Sequence, residues 1–332
     1  MGARISNIEY YLPNVVISND QLAKEFKDWS AEKIENKTGI RERHIVRENE
    51  TALDLALKAS EKLLERYDRD KVDFALLCTQ SPDYYIPTSA CILQDKLGLR
   101  TNIGAFDYNL ACSGFIYGLA IAKSLIGSKI ASNVLLVSSE TYSKHIHPKD
   151  KANRTIFGDG ASAAIIESSQ DEGILEFVLG TDGSGFNKLI VPKGGLRDRY
   201  DISAKEIDDG SGSIRTDNNL FMDGPGIFNF TIEAVPKVVS EVLKKNGVTL
   251  EDLDYVIFHQ ANKFMIEYLR RKTGIPKDKF YIGMLHTGNT VSASIPIAIK
   301  DCLNGNIISQ GDRILLVGFG AGYSWGGAIV RL

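Results

Sequence analysis

The chain is poor in cysteine, with four in 332 residues (Cys78, Cys91, Cys112, Cys302). None forms a Cys-x-x-Cys pair or stands near a histidine at metal-ligand spacing. That excludes a disulfide framework and a structural zinc site, and predicts reduced thiols. Excess positive charge is also missing: 39 Lys+Arg against 42 Asp+Glu leave a net charge of −3. That near-balance removes polyanion binding as the default function, so no nucleic-acid partner is expected. Long apolar runs are absent too. The stretch Val134 to Val137 is typical, far short of the ~18 residues that span a bilayer, and the first residues lack the charged-then-apolar pattern of a secretory leader. No membrane association and a cytoplasmic location are expected.

What is present is an alternation of strand and helix patterns. Ser18 to Lys37 reads as one helix, capped by Ser18-Asn19-Asp20 and closed by Gly39. Thr51 to Arg66 reads as another, with Leu53, Leu55, Ala56, Ala59, Leu63 and Leu64 near a 3.6-residue period. Val72 to Cys78 is a buried-strand pattern, and a helix is expected around Thr88 to Leu97. Such alternation predicts a layered α/β protein with mostly parallel pairing.

The halves echo one another. Asp73-Phe-Ala-Leu-Leu is answered by Asp254-Tyr-Val-Ile-Phe, and Asn133-Val-Leu-Leu-Val by Arg313-Ile-Leu-Leu-Val. Each half then ends in a Gly-rich turn and a small-residue strand, Gly158 to Ile166 and Gly322 to Val330. A duplicated fold is predicted, with residues 1–170 as one half and 171–332 as the other. Gly194 to Asn219, charged and rich in Gly and Ser, reads as a surface excursion or lid.

Cys112 falls where a strand pattern beginning at Ile103 gives way to a helical one after Ser113. At a helix N-terminus, unpaired N–H groups favour thiolate over thiol, which is how a nucleophile is activated. Cysteine is more commonly a small buried hydrophobe, the reading given to the other three. In the second half His259 ends a strand pattern, and Asn289 stands in a Gly turn that opens a helix. A pseudo-twofold arrangement brings these turns to Cys112. A thiolate attacks a thioester, and neutral His and Asn donors stabilise the enolate left when a malonyl thioester loses carbon dioxide. Backbone N–H groups of Cys112 and of Phe319-Gly320-Ala321-Gly322 offer an oxyanion hole for attack on the acyl-enzyme.

Six motifs together resemble the β-ketoacyl-acyl-carrier-protein synthase III family of the thiolase superfamily. They are Thr38-Gly-Ile-Arg-Glu-Arg-His44, Ala111-Cys-Ser-Gly114, Phe157-Gly-Asp-Gly-Ala161, His259-Gln-Ala-Asn262, Gly288-Asn289-Thr, and the C-terminal Gly322 to Leu332. The resemblance implies a thiolase-like five-layered αβαβα fold and a homodimer. It also implies condensation of an acyl-CoA primer with malonyl-acyl-carrier protein, with CoA and carrier thioesters as substrates and no bound cofactor or metal. It makes Cys112 the nucleophile, His259 and Asn289 the decarboxylation pair, and Cys112 and Ala321 the oxyanion-hole residues. Substrate contacts carried over are Lys33, Lys37, Arg154, Ile86 (from the partner subunit), Phe228 and Asn262. Lys263, Arg270, Arg271 and Lys272 form the basic surface for an acidic carrier protein. The chain departs from the family pattern where an aromatic ring stacks on the CoA adenine, since Lys33 occupies that position. An acyltransferase delivering the Cys-bound acyl group to an alcohol or amine shares the first step and is the alternative. A thiolase proper would carry a second cysteine within Gly318 to Gly327, a nucleotide-binding dehydrogenase a Gly-x-Gly-x-x-Gly after its first strand; both signals are absent.

Overall fold

The computed structural model describes residues 2–332. Nine strands build two sheets: β1 (Gly2–Tyr11), β2 (Phe74–Cys78), β3 (Gly104–Tyr108), β4 (Asn133–Glu140), β5 (Gly160–Ser169), β6 (Ile174–Thr181), β7 (Tyr255–Phe258), β8 (Arg313–Gly320) and β9 (Ser324–Arg331). The first sheet runs β1-β5-β4-β2-β3, and the second β6-β9-β8-β7. Four strands of the first thus repeat the order of the second. The pairs β2/β4 and β7/β8 are parallel, whereas β4/β5 and β8/β9 are antiparallel.

The echoed aspartates have a local cause. Asp73 Oδ2 accepts from Asn133 N at 3.1 Å, and Asp254 Oδ2 accepts from Arg313 N at 2.8 Å. Each carboxylate pins the start of its own strand to the start of the parallel neighbour, so Phe74 pairs with Val134 and Tyr255 with Ile314.

Between the sheets lie the helices Gly114–Gly127 and Ser294–Asn304. Phe115, Ile116, Leu119 and Ile126 of the first and Ile295, Ile299 and Cys302 of the second pack with Leu76, Leu136 and Leu316 from both sheets. Ala52–Leu64 and Ser89–Lys96 cover the outer face of the first sheet, Gly224–Asn246 and Lys263–Lys272 that of the second. The result is five layers, α/β/α/β/α. No helix among the described residues is long and apolar enough to cross a membrane.

The single helix expected over Ser18 to Lys37 is two. Asn19–Glu25 starts on a Ser18 and Gln21 capping box, and Ala31–Thr38 on Ser30, whose hydroxyl accepts from Lys33 N at 3.1 Å. Ser30 is a better cap than an interior helical residue, so the chain breaks over Phe26 to Ser30. Gly39 closes the second helix at φ 74°. The 194–219 excursion is mostly exposed, with a small hairpin (Ile207–Asp208 with Ile214–Arg215). Its tip is tied down, because buried Ser213 donates to Asp150 at 2.8 Å and accepts from Ala152 N at 3.0 Å.

Candidate active site

Cys112, His259 and Asn289 all line one cavity of about 820 Å³. Cys112 lies on the turn between β3 and the central helix, where Gly114 N donates to Ala111 O at 2.8 Å. The fit there is tight. A Cβ on Gly114 would stand 2.3 Å from Cys78 Sγ, and one on Gly320 would stand 2.9 Å from Cys112 Cβ and 3.1 Å from its sulfur. One on Gly318 would meet the Cys112 carbonyl and Ser113 Cα, each at 2.8 Å. Residues two apart on a strand share a face, so Gly318 and Gly320 let β8 of the second half close directly on the nucleophile turn of the first.

His259 follows β7 and is held there by its N–H to Val317 O, 2.8 Å. Its Nδ1 lies 2.7 Å from Ser294 Oγ, which also accepts from Gln260 N at 3.3 Å. The ring is 2% exposed, and its edge-to-face neighbour is Phe319 at 5.6 Å. Burial drives its pKa down to about 3, weakly opposed by the Val291 backbone, so the imidazole is neutral.

Asn289 is fixed at three points. Its N–H donates to Ile156 O at 2.9 Å, its carbonyl accepts from Gly158 N at 3.0 Å, and its Oδ1 accepts from Val291 N at 2.9 Å. With Oδ1 engaged, the amide NH2 is the end left to donate.

The thiolate expected at the helix N-terminus is not the resting form. Cys112 is 5% exposed, and burial, with the nearby Glu140 adding to it, pushes the thiol well above its ordinary range. Desolvation thus favours the protonated sulfur and works against the helix end.

The cavity mouth differs from the sequence expectation in two ways. Arg154 does not line it. Its guanidinium stacks over Phe26 at 5.4 Å, pairs with Glu25 and donates to Pro148 O at 2.6 Å. Lys151, one turn earlier, lines the mouth instead, its buried ammonium 2.5 Å from Asp28. Nor is the aromatic surface lost. Trp29, released by the helix break, lines the mouth, with the Lys37, Lys33 and Lys151 ammoniums 4.8, 5.4 and 5.8 Å from its ring centroid. Ser30 was the available signal: a cap there puts the residue before it outside the helix.

Lys37, Phe228 and Asn262 line the cavity as expected from the resemblance, and Lys33 reaches it only through Trp29. Phe228 stacks on Phe264 at 5.9 Å. Ala321 packs in the cluster of Cys112, Tyr142 and Phe157, while Gly320 beside it faces the cavity. Ile86 is 87% exposed and outside this cavity. On the Lys263–Lys272 helix, Lys263, Arg271 and Lys272 are exposed. Arg270 is not free for docking: it pairs with Glu267 at 3.2 Å and donates to Ile275 O at 2.9 Å.

Comparison with known proteins agrees with this arrangement. Family models described as 3-oxoacyl-[acyl-carrier-protein] synthase III match residues 106–183, and as the C-terminal part of that enzyme residues 243–332. A β-ketoacyl-[acyl-carrier-protein] synthase III of Clostridium perfringens is 37% identical over 100% of this chain and 99% of its own. A crystal structure of a 3-oxoacyl-(acyl-carrier-protein) synthase III superposes with TM-score 0.98 at 46% identity, covering all of both chains. A 3-oxoacyl-(acyl-carrier protein) synthase of Burkholderia xenovorans does so with TM-score 0.92 at 35% identity, over 100% of this chain and 94% of that one. The chain belongs to the 3-oxoacyl-[acyl-carrier-protein] synthase III family and is an acyl-transferring condensing enzyme of that type.

Proposed function

We propose that Cys112 carries the acyl group, and that His259 and Asn289 promote decarboxylation of the malonyl thioester. The convergence of these three side chains, from both halves, on one cavity carries the reading. In the first step the Cys112 sulfur attacks the thioester carbon of the primer. The C–S bond to the donor breaks, and the thiol proton leaves with the released donor thiol. In the second, the malonyl thioester loses its carboxylate as carbon dioxide. The electron pair forms an enolate whose oxygen receives hydrogen bonds from the neutral His259 ring and the Asn289 amide. The enolate carbon attacks the acyl-enzyme, the Cys112–acyl bond breaks, and the sulfur takes up a proton. Backbone N–H groups at Cys112 and Ala321 would receive the oxyanion of each attack.

The donor enters past Trp29, Phe228 and Phe264, an aromatic corridor suited to a pantetheine arm. Lys37 offers charge to its phosphates, for CoA or for a carrier protein, and Lys151 does so if it exchanges its Asp28 partner for a phosphate. Exposed Lys263, Arg271 and Lys272 are the docking surface for an acidic carrier. A second copy of the chain covers the free edge of β3, which bears exposed Phe106, and the loop after β2 with its exposed Tyr84, Tyr85 and Ile86. That homodimer would place Ile86 at the partner's acyl site.

Intact-mass spectrometry after incubation with a panel of acyl-CoAs tests the reading. A stable adduct in wild type, absent in Cys112→Ala and cleared with carbon dioxide release on adding malonyl carrier protein, supports it. No adduct from any CoA or acylated carrier would sink it.

A further inference from the structure

Beneath the nucleophile turn lies a fully buried carboxyl, Glu140, at the end of β4. Its two oxygens are held from different halves of the chain. Gln80 N donates to Oε2 at 2.9 Å, and Ser292 Oγ donates to Oε1 at 2.9 Å. Ser292 stands in the turn that also presents Asn289, through the Val291 N–H, and Ser294, which holds the His259 ring. The space on the other side belongs to the nucleophile. A Cβ on Gly114 would lie 3.5 Å from Ser292 Cβ, so the Glu140 tether reaches the first turn of the helix that follows Cys112. The titratable groups that share an electrostatic influence with Glu140 are Cys78 on β2, Tyr108 on β3, Cys112 on the nucleophile turn, Tyr142 after its own strand and Asp159 ahead of β5. All are neutral or acidic, and Ser81, which links to His145 at 3.2 Å, adds a further neutral hydrogen bond.

We infer that Glu140 is a positioning residue for both steps: it ties the turn bearing Asn289 and Ser294 to the nucleophile half and, as a neutral acid, spares the Cys112 sulfur a buried like charge while it ionises. Burial pushes the Glu140 carboxyl up to about 8, against the lowering effect of Gln80 and Ser292, which keeps it protonated at neutral pH. Above that value its carboxylate charge is felt at the thiol and opposes its ionisation. The inference rests on Cys112 being the nucleophile, but not on which acyl donor or carrier is used.

Iodoacetamide alkylation of Cys112, followed against pH by site-resolved mass spectrometry, reads the sulfur without any substrate. Glu140→Gln is the main variant, because its amide can accept from Gln80 N and donate to the Ser292 hydroxyl, preserving the tether. The two proteins should alkylate equally near pH 7. By about pH 9.5 the variant should lead by about tenfold, one unit of thiol pKa. Parallel profiles would mean Glu140 is only structural and would overturn the inference. Glu140→Ala, which cuts the tether, should lose carbon dioxide release about tenfold more than acyl loading; equal losses would also count against it. Should that variant fail to fold, the glutamine pH profile still decides.

Discussion

Gly320 and Cys112 are in contact across the boundary between the two halves of the chain: any side chain on the glycine would press on the sulfur, 3.1 Å away. β8, the later strand of the second half's parallel pair, is therefore the wall against which the nucleophile is placed.

That contact predicts the effect of Gly320→Ala. The added methyl must displace Cys112 or β8, neither of which is a flexible chain end, so acyl loading should slow by roughly tenfold or more, about 1.4 kcal/mol of barrier. Urea unfolding should move much less. Unchanged loading kinetics would show that the turn yields without cost.

The fixed amide of Asn289 and the neutral ring of His259 predict a split between steps. His259→Ala and Asn289→Ala should each lose about 10²–10³ in carbon dioxide release. Both should still form the Cys112 adduct at rates within a few-fold of wild type. Stopped-flow loading and isotope-labelled carbon dioxide release separate the two, and equal losses in both would contradict the division of labour.

His259 also sets a sign for stability against pH. Its folded pKa, about 3, lies below the ordinary 6.5, so the unfolded chain takes up the proton first. Stability falls as pH drops from about 6.5 toward 3, by at most ~1.4 kcal/mol per pH unit from this one group. Glu140 and Asp159, raised to about 8 and about 6, act oppositely, losing their contribution as pH rises through those values. Urea denaturation at about pH 7 and 5 should therefore show the gap between wild type and His259→Asn changing, with wild type losing more on acidification. A gap that stays constant would mean His259 is protonated in the folded state.

The exchange of Arg154 for Lys151 at the mouth predicts unequal alanine variants. Lys151→Ala and Trp29→Ala should raise KM for acyl-CoA several-fold with kcat little changed, and the lysine effect should shrink at high salt. Arg154→Ala should leave KM near wild type. The reverse ranking would restore the family expectation for Arg154.

Much of this was legible in the sequence because it rests on local devices. The aspartates at 73 and 254 mark strand starts, Gly39 ends a helix by its left-handed φ, a strand-to-helix turn announces Cys112, and a Gly turn opening a helix announces Asn289. What could not be read depends on distant partners. Arg154 was drawn off by Glu25 and Phe26, Arg270 by Glu267 and Ile275 O, and the thiol's protonation by burial under β8. The break at Ser30 was readable in principle, because Ser30 is a cap residue, but the Ser18 start and Gly39 stop framed the segment as one helix. Glu140 carries no sequence signature at all, being one acidic residue at a strand end.

The closing of β8 onto Cys112 also orders events during synthesis. The glycines that enclose the sulfur are at 318 and 320, a few residues short of the last strand, while the sulfur itself is made two-thirds of a chain earlier. On the ribosome Cys112 therefore lacks this cover, and is open to oxidants and electrophiles, until Gly318 and Gly320 have emerged and β8 has closed on it. The nascent chain passes through its most chemically vulnerable stage before it has any catalytic power to show for it.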